Sequence, residues 1–323
     1  MNTIGQYLRL TTFGESHGPA MGGVLDGVPS RVNIDIDFIQ KELDRRAPGK
    51  GGATSPRKEP DKLEILSGIS ADGLTLGSSI GFIIRNCDAR AKEYSELAGC
   101  FRPNHADYTY YTKYGIHDFR GGGRSSARET VSWVAAGAIV RQWLSGYGIE
   151  VKAKYIRTMD VQKAVQTGDS AGGVVKCVIT GLQAGIGEPV FGKLHSRLAA
   201  AMMGINAAKA FEYGDGVDSA QMYGSECQDI PFVGEDGKVR FRSNHSGGIQ
   251  GGISNGMPVN FKVYFKPTPT IPQTVETIDT EGNEVSITPA GRHDACVAIR
   301  AVPVVEAMAL LTVGDLLIAS GRL

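Results

Sequence analysis

The sequence lacks several features that would place it at once in a class of proteins. Its five cysteines are an odd number and include no C-x-x-C pair, which argues against a disulfide framework or a zinc site. Its 34 basic residues balance 34 acidic residues, and this zero net charge argues against a general nucleic-acid binder. We find no run of about 18 apolar residues, the length that a membrane span needs. These absences favour a reduced, cytosolic protein.

Common leader and nucleotide-binding motifs are missing as well. The opening segment, MNTIGQYLRLTTFGESHG, has no apolar core of a signal peptide, so we expect a cytoplasmic location. Neither a Walker A loop nor a G-x-G-x-x-G fingerprint occurs, so ATP hydrolysis and a Rossmann NAD site both lack their main signal. No histidines have H-E-x-x-H or similar spacing, and we therefore expect no bound metal.

Glycine, by contrast, is abundant, with 43 residues, and it clusters with arginine in short loops. The stretch FRGGGRSSARETV, residues 119–131, is the clearest case. Successive glycine N–H groups form anion-binding nests, and a capping box at Ser126 and Glu129 predicts a helix start with free N–H donors. Arg124 and Arg128 add guanidinium groups that bind phosphate or carboxylate. The segment predicts an anion site; the alternative is a flexible turn before a core helix.

Three of the six histidines lie in loops rich in glycine, arginine and aspartate. They are His17 in FGESHG, His105 in FRPNHADY and His293 in GRHDAC. A lone histidine is usually structural or exposed, but these contexts favour proton transfer near neutral pH. If the arginine-bearing loops converge, the pocket is strongly cationic in a neutral protein. The residues alone therefore predict an enzyme for a small molecule with several negative charges.

Helical and strand patterns mix along the chain without strict β-α-β alternation, which predicts an α+β fold. We see no internal repeat or linker, so we expect one domain, residues 1–323. We predict a helix over 37–46 with Asp37 as its N-cap. The other predicted helices are 130–144, 189–211 and a last helix from Val302; the predicted strands are 64–69, 75–85, 174–182 and 257–267, with a hairpin over 277–288.

Three long segments resemble the signature regions of the chorismate synthase family. They are TTFGESHG, FRPNHADYTYYTKYGIHDFRGGGRSSARET and GRHDACVAIRAVPVVEA. The shorter segments INAAK, SNHSGGIQGGISNG and KPTPT are similar to that family's flavin-contacting segments. The resemblance runs from Ile4 to the last helix, essentially the whole chain.

The resemblance implies a specific activity. Members of this family convert 5-enolpyruvylshikimate 3-phosphate to chorismate and phosphate, a 1,4-elimination in the shikimate pathway that leads to aromatic amino acids. The reaction requires reduced FMN without net redox change, and a reductant such as NADPH acts only indirectly. The family fold is a β-α-β sandwich with helices between antiparallel sheets and Gly/Arg-rich active-site loops, typically in a homotetramer. We see no segment resembling a flavin reductase, so we expect a separate source of reduced FMN.

The resemblance also assigns roles to residues of this chain. His17 matches the histidine that protonates the reduced flavin, His105 the one that assists the leaving phosphate, and Asp294 the aspartate that acts with flavin N5. The implied substrate-binding residues are Arg45, Arg46, Arg102 and Arg128. The implied flavin-binding residues are Arg124, Ser125, Ser126, Asn206, Ala207, Gly251, Lys266, Pro267, Thr268, Pro269, Thr270 and Arg292.

The chain departs from the family pattern at a few positions. Asn104 replaces a glycine before the histidine, Ala295 replaces a proline after the aspartate, and Gly52 replaces a basic residue. Two other functions remain alternatives: a flavin-dependent oxidoreductase with the same pocket, and a non-catalytic module that binds a phosphometabolite or nucleotide. His17 and His105 together count against the second alternative.

Overall fold

A computed structural model describes residues 1–49, 54, 60–87, 99–119, 121–289 and 294–322. Helices and antiparallel sheets are both prominent in these residues, which confirms the α+β class. The helices are α1 (Ile36–Arg46), α2 (Asp107–Tyr114), α3 (Thr130–Ser145), α4 (Val161–Thr167), α5 (Leu194–Met203) and α6 (Val297–Ser320).

The N-terminal part of the chain forms a five-stranded antiparallel sheet in the order β1-β2-β3-β5-β4. Burial alternates along its strands, so one face packs on the core. In β5, for example, Ile80, Phe82 and Ile84 are buried while the residues between them are half-buried. The strands are β1 (Thr3–Ile4), β2 (Arg9–Gly14), β3 (Ala20–Asp26), β4 (Leu63–Ile65) and β5 (Ile80–Arg85).

The later part of the chain forms a four-stranded antiparallel sheet in the order β6-β7-β13-β8. Val259, Phe261, Val263 and Phe265 of β13 are all buried, as the alternating pattern predicts. The strands are β6 (Glu150–Ile156), β7 (Gly173–Thr180), β8 (Ala208–Tyr213) and β13 (Val259–Phe265). Three hairpins complete the described strands: β9 (Pro231–Val233) with β10 (Val239–Phe241), β11 (Ile249–Gln250) with β12 (Ile253–Ser254), and β14 (Val275–Ile278) with β15 (Glu284–Ile287).

The two longest described helices form the centre of the core. Helix α3 packs against α6 and against β2, β3 and β5, whereas α6 also contacts β6, β7 and β13. Gly137 of α3 permits this close approach, because a Cβ there would lie 2.4 Å from the Cβ of Ala307 in α6. One large core cluster therefore joins residues of both sheets and both helices.

Helix α6 corrects the expectation that no segment has the length and apolar composition of a membrane span. Its 24 residues meet both criteria, but 89% of its most apolar window is buried inside the protein. It also begins at Val297, five residues before the predicted start at Val302. The position of α6 in the core explains its apolar composition, since α6 contacts α1, α3, α5 and strands of the four-stranded sheet.

The predicted helix over 189–211 is wrong at both ends. Only Leu194–Met203 is helical, Phe191 is 98% exposed, and the chain re-enters a sheet at β8. Gly204 caps the helix, and Ala207 has a φ of 66°, which a continuing helix excludes. Asp37 is not the N-cap of α1, because Asp35 accepts from the Phe38 N–H. The predicted strand 75–85 is shortened to β5, since residues 74 and 75 form only isolated bridges.

Candidate active site

A cavity of about 370 Å³ lies where six separate segments of the chain meet. The end of α1, the loop before α2, the glycine segment before α3, the loop after α5 and the loop after β13 all contribute to its wall, together with the start of α6. Its lining residues are Arg46, Pro48, Arg102, Asn104, His105, Ala106, Gly121, Ser125, Ser126, Ala127, Arg128, Asn206, Ala207, Lys266, Thr268, Pro269, Thr270, Asp294, Val297 and Arg300.

The lining of this cavity is strongly cationic. Five of the lining side chains are arginine or lysine, and Asp294 is the one carboxylate among the lining residues that the structure describes. The predicted convergence of arginine-bearing loops is therefore present for Arg46, Arg102 and Arg128. Such a cavity attracts small polyanions although the whole chain is neutral.

Asp61 binds two of these arginines but does not itself line the cavity. Its carboxylate accepts from Arg46 Nη2 at 2.8 Å and makes a short bond to Arg128 Nη1. All three side chains are buried, with exposures of 0%, 2% and 8% for Asp61, Arg46 and Arg128. Burial opposes ionisation of Asp61, but the two guanidinium groups hold its pKa below the ordinary value. Burial lowers the pKa of Arg46 to about 10, so this arginine is still charged at neutral pH.

Asp107 organises the opposite side of the cavity. It accepts from Arg102 Nε at 2.7 Å and from Arg102 Nη2 at 2.8 Å, and its Oδ1 lies 2.6 Å from His105 Nδ1. His117 Nε2 lies 2.7 Å from the same oxygen. Burial lowers the pKa of His105, Asp107 raises it in part, and Arg102 lowers it further, with a net decrease. His105 is therefore neutral at neutral pH, with Nδ1 directed to the carboxylate.

The glycine segment approaches His105 closely at a position that favours glycine. Gly122 has a φ of 88°, and a Cβ at that position would lie 3.0 Å from His105 Cε1 and 2.7 Å from Ser125 Oγ. The N–H groups of Gly121, Gly122, Ser125 and Ser126 donate within the segment's own turns. The glycine backbone thus leaves room for the imidazole ring. Most of the N–H groups that were expected to form a free anion-binding nest instead donate to carbonyls within the segment.

The predicted capping box is only half formed. Ser126 Oγ accepts from the Arg128 N–H at 3.3 Å, but the helix that follows begins as a 3-10 turn and α3 starts at Thr130. Glu129 does not return to the Ser126 backbone and instead bonds Thr12, Arg124 and Trp133. A carboxylate with three side-chain donors nearby is satisfied there, which explains the departure from the motif.

Not every residue predicted for the site lies at the cavity. Arg124 faces away, bonded to Glu129 at 2.6 Å and to the Gly14 carbonyl at 3.2 Å. Arg45 pairs with Glu42 and Glu306 instead. His17, Gly251 and Pro267 do not line the cavity either, and Arg292 and Gly52 lie outside the described residues. The predicted residues that do line it are His105, Asp294, Arg46, Arg102, Arg128, Ser125, Ser126, Asn206, Ala207, Lys266, Thr268, Pro269 and Thr270.

Three site residues received no individual role from the sequence. Arg300 lines the cavity and bonds Asp294 Oδ2 at 2.7 Å and the Arg46 carbonyl at 3.0 Å. The sequence could have indicated this residue through its position six residues after Asp294, in the first turn of α6. Asp107 lies two residues after His105, a spacing that brings both to the start of α2. Asp61 had no local signal, since its partners are 15 and 67 residues away.

Some buried polar atoms at the cavity lack a partner among the described residues. They are Arg46 Nε, Asn206 Oδ1 and Thr268 Oγ1. Buried polar atoms are normally hydrogen-bonded, so these atoms indicate that a polar ligand completes the site. Alanine, proline and valine residues also line the cavity. The cavity therefore offers a ligand both polar and apolar contacts.

Comparisons with known proteins agree on one family. The model of the family described as chorismate synthase matches residues 8–164 and 155–318. The chorismate synthase of Porphyromonas gingivalis is 48% identical, with 99% of this chain and 96% of that protein covered. The chorismate synthase of Bacteroides thetaiotaomicron is 47% identical, with 97% of each covered. A crystal structure of a chorismate synthase matches with a TM-score of 0.75 and 27% identity, over 98% of this chain and 93% of that one.

Proposed function

Because this chain belongs to the chorismate synthase family, we propose that it eliminates phosphate from 5-enolpyruvylshikimate 3-phosphate to give chorismate in the shikimate pathway. One observation carries the proposal at the level of chemistry. Arg46, Arg102, Arg128, Lys266 and Arg300 converge on a cavity that also contains His105. The substrate has one phosphate and two carboxylates, and a cationic cavity next to a proton carrier matches that charge.

Reduced FMN is the cofactor that we propose for this cavity. The unpartnered buried oxygens of Asn206 and Thr268, the apolar wall of Ala207 and Pro269, and the cation Lys266 fit a flat ring with polar edges. The residues that would hold it are the five just named, together with Ser125, Ser126 and Thr270. Bound reduced FMN supplies electron density that assists departure of the phosphate.

The arginines stabilise the leaving group in this proposal. Negative charge grows on the phosphate oxygens as the C–O bond breaks, and guanidinium groups already fixed in place stabilise it without reorganisation. Asp61 and Asp107 provide that fixation for Arg46, Arg128 and Arg102. The three arginines line the cavity, whereas Asp61 and Asp107 do not.

His105 assists the same departure by carrying a proton to the phosphate. Its pKa is lowered by burial, so the histidine is neutral before the substrate binds. A bound phosphate adds negative charge nearby and raises that pKa, so the proton arrives together with the substrate. We assign proton transfer to the flavin to His17, and loss of the ring proton to Asp294, which Arg300 orients at 2.7 Å. The resemblance also assigns Arg124, Arg292 and Gly251 to the cofactor, although Arg124 and Gly251 do not line the cavity.

Several further features belong to the same proposal. We propose a single catalytic domain over residues 1–323, with the family's sandwich of helices between antiparallel sheets. We propose a cytoplasmic homotetramer that receives reduced FMN from a separate flavin reductase, with a reductant such as NADPH used indirectly. Contacts of α3 with the first sheet and of α6 with the second support the sandwich.

An anaerobic assay tests the proposed function. The protein is mixed with 5-enolpyruvylshikimate 3-phosphate and photoreduced FMN, and chorismate and phosphate are followed by absorbance. We expect equal amounts of both products, FMN that is still reduced at the end, and no reaction with oxidised FMN. Consumption of reduced FMN in proportion to product would instead indicate an oxidoreductase. FMN binding without phosphate release would indicate a binding module.

A further inference from the structure

Asn86 lies between two parts of the proposed active site. It follows β5 directly, and its side chain is half-buried. On one side lies the turn Glu15–Gly18, which contains His17; on the other lies Arg128, which lines the cavity. Nothing in the local sequence marks this asparagine, because both partners come from distant segments.

Both ends of the Asn86 carboxamide are used. Nδ2 donates to the Glu15 carbonyl at 3.0 Å and to the Gly18 carbonyl at 2.8 Å, while Oδ1 accepts from Arg128 Nε at 3.0 Å. The reverse orientation would direct NH2 at the guanidinium group and oxygen at two carbonyls. Only a neutral amide therefore satisfies all three partners, since it has donors on one atom and an acceptor on the other.

Hydrogen bonds fix both the turn that contains His17 and the side chain of Arg128. The Asn86 N–H donates to the Pro19 carbonyl at 3.1 Å, and the Gly18 N–H donates to the Glu15 carbonyl at 3.0 Å, so the turn is closed on both sides. Within the turn, Ser16 Oγ lies 3.1 Å from His17 Nδ1. Arg128 is held at Nε by Asn86 and at Nη1 by Asp61. The guanidinium plane is thus defined from two directions.

We propose that Asn86 is a positioning residue that fixes the His17 turn relative to the Arg128 guanidinium. The proposal rests on the proposed function, which gives His17 and Arg128 their roles. Asn86 does not line the cavity, so it acts through these two residues. The energetic reason is geometric: a catalytic group displaced by about 1 Å costs up to about a hundredfold in rate.

The first test is a double-mutant cycle on chorismate formation. We expect Asn86→Leu to lower kcat by about tenfold to a hundredfold, with KM changed by less than about threefold. If Asn86 acts through His17, then Asn86→Leu in a His17→Gln background should cause a further loss of under about twofold. The same cycle with Arg128→Lys tests the other neighbour, and equal losses in all three backgrounds would overturn the proposal.

The second test does not need activity. Ring NMR of the histidines, with His17 assigned through His17→Gln, should show a changed titration and broadened signals for His17 in Asn86→Leu. His245 is an internal reference, because it pairs with Asp215 at 2.6 Å in another loop. If the wild-type chain forms no chorismate, the proposed function fails, but this measurement still decides about Asn86. An unchanged His17 titration would overturn the proposal.

Two variants keep the tests interpretable. Asn86→Asp has the same shape and cannot donate to either carbonyl, so it replaces Asn86→Leu if the latter does not fold. Gln142→Leu is the matched control: its amide also bridges two segments, accepting from the Asp35 N–H at 2.7 Å and donating to the Asp35 carbonyl at 3.3 Å. We expect the control to leave the His17 signals and kcat unchanged. A similar change in the control would reduce Asn86 to a structural role.

Discussion

Two buried carboxylates each bind two arginines, and they do so in different ways. Asp61 binds Arg46 and Arg128, and both arginines line the cavity. Glu306, in the middle of α6, binds Arg45 and Arg141 at 2.8 Å each. Neither of the latter pair lines the cavity, although Arg45 and Arg46 are neighbours in sequence.

The Glu306 group connects elements of the core. Its second oxygen accepts from the Ala153 N–H at 2.8 Å, so one carboxylate joins α1, α3, α6 and β6. Arg45 is 40% exposed and also bonds Glu42, and Arg141 is 19% exposed. The carboxylate of this group is fully engaged within the protein, and neither arginine lines the cavity, although Arg141 Nε, like Arg46 Nε, has no hydrogen-bond partner among the described residues.

Both arginines of the Asp61 group line the cavity. Arg46 is 2% exposed, and its Nε has no hydrogen-bond partner among the described residues. A second arginine on the same carboxylate adds a further charge at the cavity wall. The comparison indicates that Glu306 holds helices together, whereas Asp61 holds charges in place for a ligand. Substitutions at the two carboxylates and their arginines test that distinction.

Neutralising the two carboxylates should have unequal effects. Asp61→Asn leaves two buried guanidinium groups without their carboxylate, and we expect a loss of about 3–5 kcal/mol in the free energy of unfolding. Glu306→Gln should cost less, about 1–2 kcal/mol, because Arg45 reaches Glu42 and water. Urea denaturation measures both losses. Losses in the reverse order would contradict the comparison.

Added phosphate sharpens the same experiment. An anion in the cavity replaces the missing carboxylate in Asp61→Asn, so phosphate should raise the melting temperature of this variant more than that of the wild type. In Glu306→Gln the increase should equal that of the wild type. Equal increases in all three proteins would show that the two carboxylates do not differ in this respect.

The neighbouring arginines provide a second test with a smaller effect. Arg46→Met removes a charge from the cavity, and we expect inorganic phosphate to bind about tenfold more weakly, a loss typical of a charge-assisted hydrogen bond. Arg45→Met makes the same chemical change on the other side of α1. Its phosphate affinity should match the wild type in calorimetry, and a similar decrease there would place Arg45 at the ligand.

Arg45 and Arg46 also show how much of the site could be predicted from the sequence. Both arginines were assigned to the substrate, yet only Arg46 lies at the cavity. A helical signal existed, because the buried residues Ile39, Leu43 and Arg46 lie on one face of α1. Asp61 had no such signal: it lies between Pro60 and β4, and its partners are distant in sequence. Periodicity locates a face, but it does not identify a partner across the core.

The fold was predictable where burial is periodic. Strand β13 and helix α3 agree with their patterns, because each buries one regular face or nearly its whole surface. The segment after α5 was not predictable in this way. Apolar spacing continues to Ile205, but Gly204 and the positive φ of Ala207 turn the chain into the cavity wall. Local backbone geometry at the site overrides a helical pattern there.

Acid should weaken the Asp61 group in a characteristic way. Burial raises the pKa of Asp61, but Arg46 and Arg128 more than offset this, so the folded-state pKa lies below the ordinary value. Its stabilisation is therefore complete above the unfolded pKa, about 4, and is lost as pH falls below that value. Stability should fall less steeply between pH 5 and 3 in Asp61→Asn than in the wild type or in Glu306→Gln. Parallel slopes in urea titrations at each pH would contradict this.

Ligand-linked proton uptake should be the smallest effect, at most about one proton per site. The pKa of His105 is lowered by burial, raised in part by Asp107 and lowered by Arg102, so the free protein holds it neutral near pH 7. A dianion in the cavity favours the imidazolium form, and binding should therefore take up a proton near neutral pH. Sulfate is the suitable probe because, unlike phosphate, it does not itself titrate in that range. Calorimetry in two buffers with different ionisation enthalpies should give different apparent enthalpies for the wild type and equal ones for His105→Gln. Glu306→Gln should behave as the wild type, because neither Glu306 nor its two arginines line the cavity.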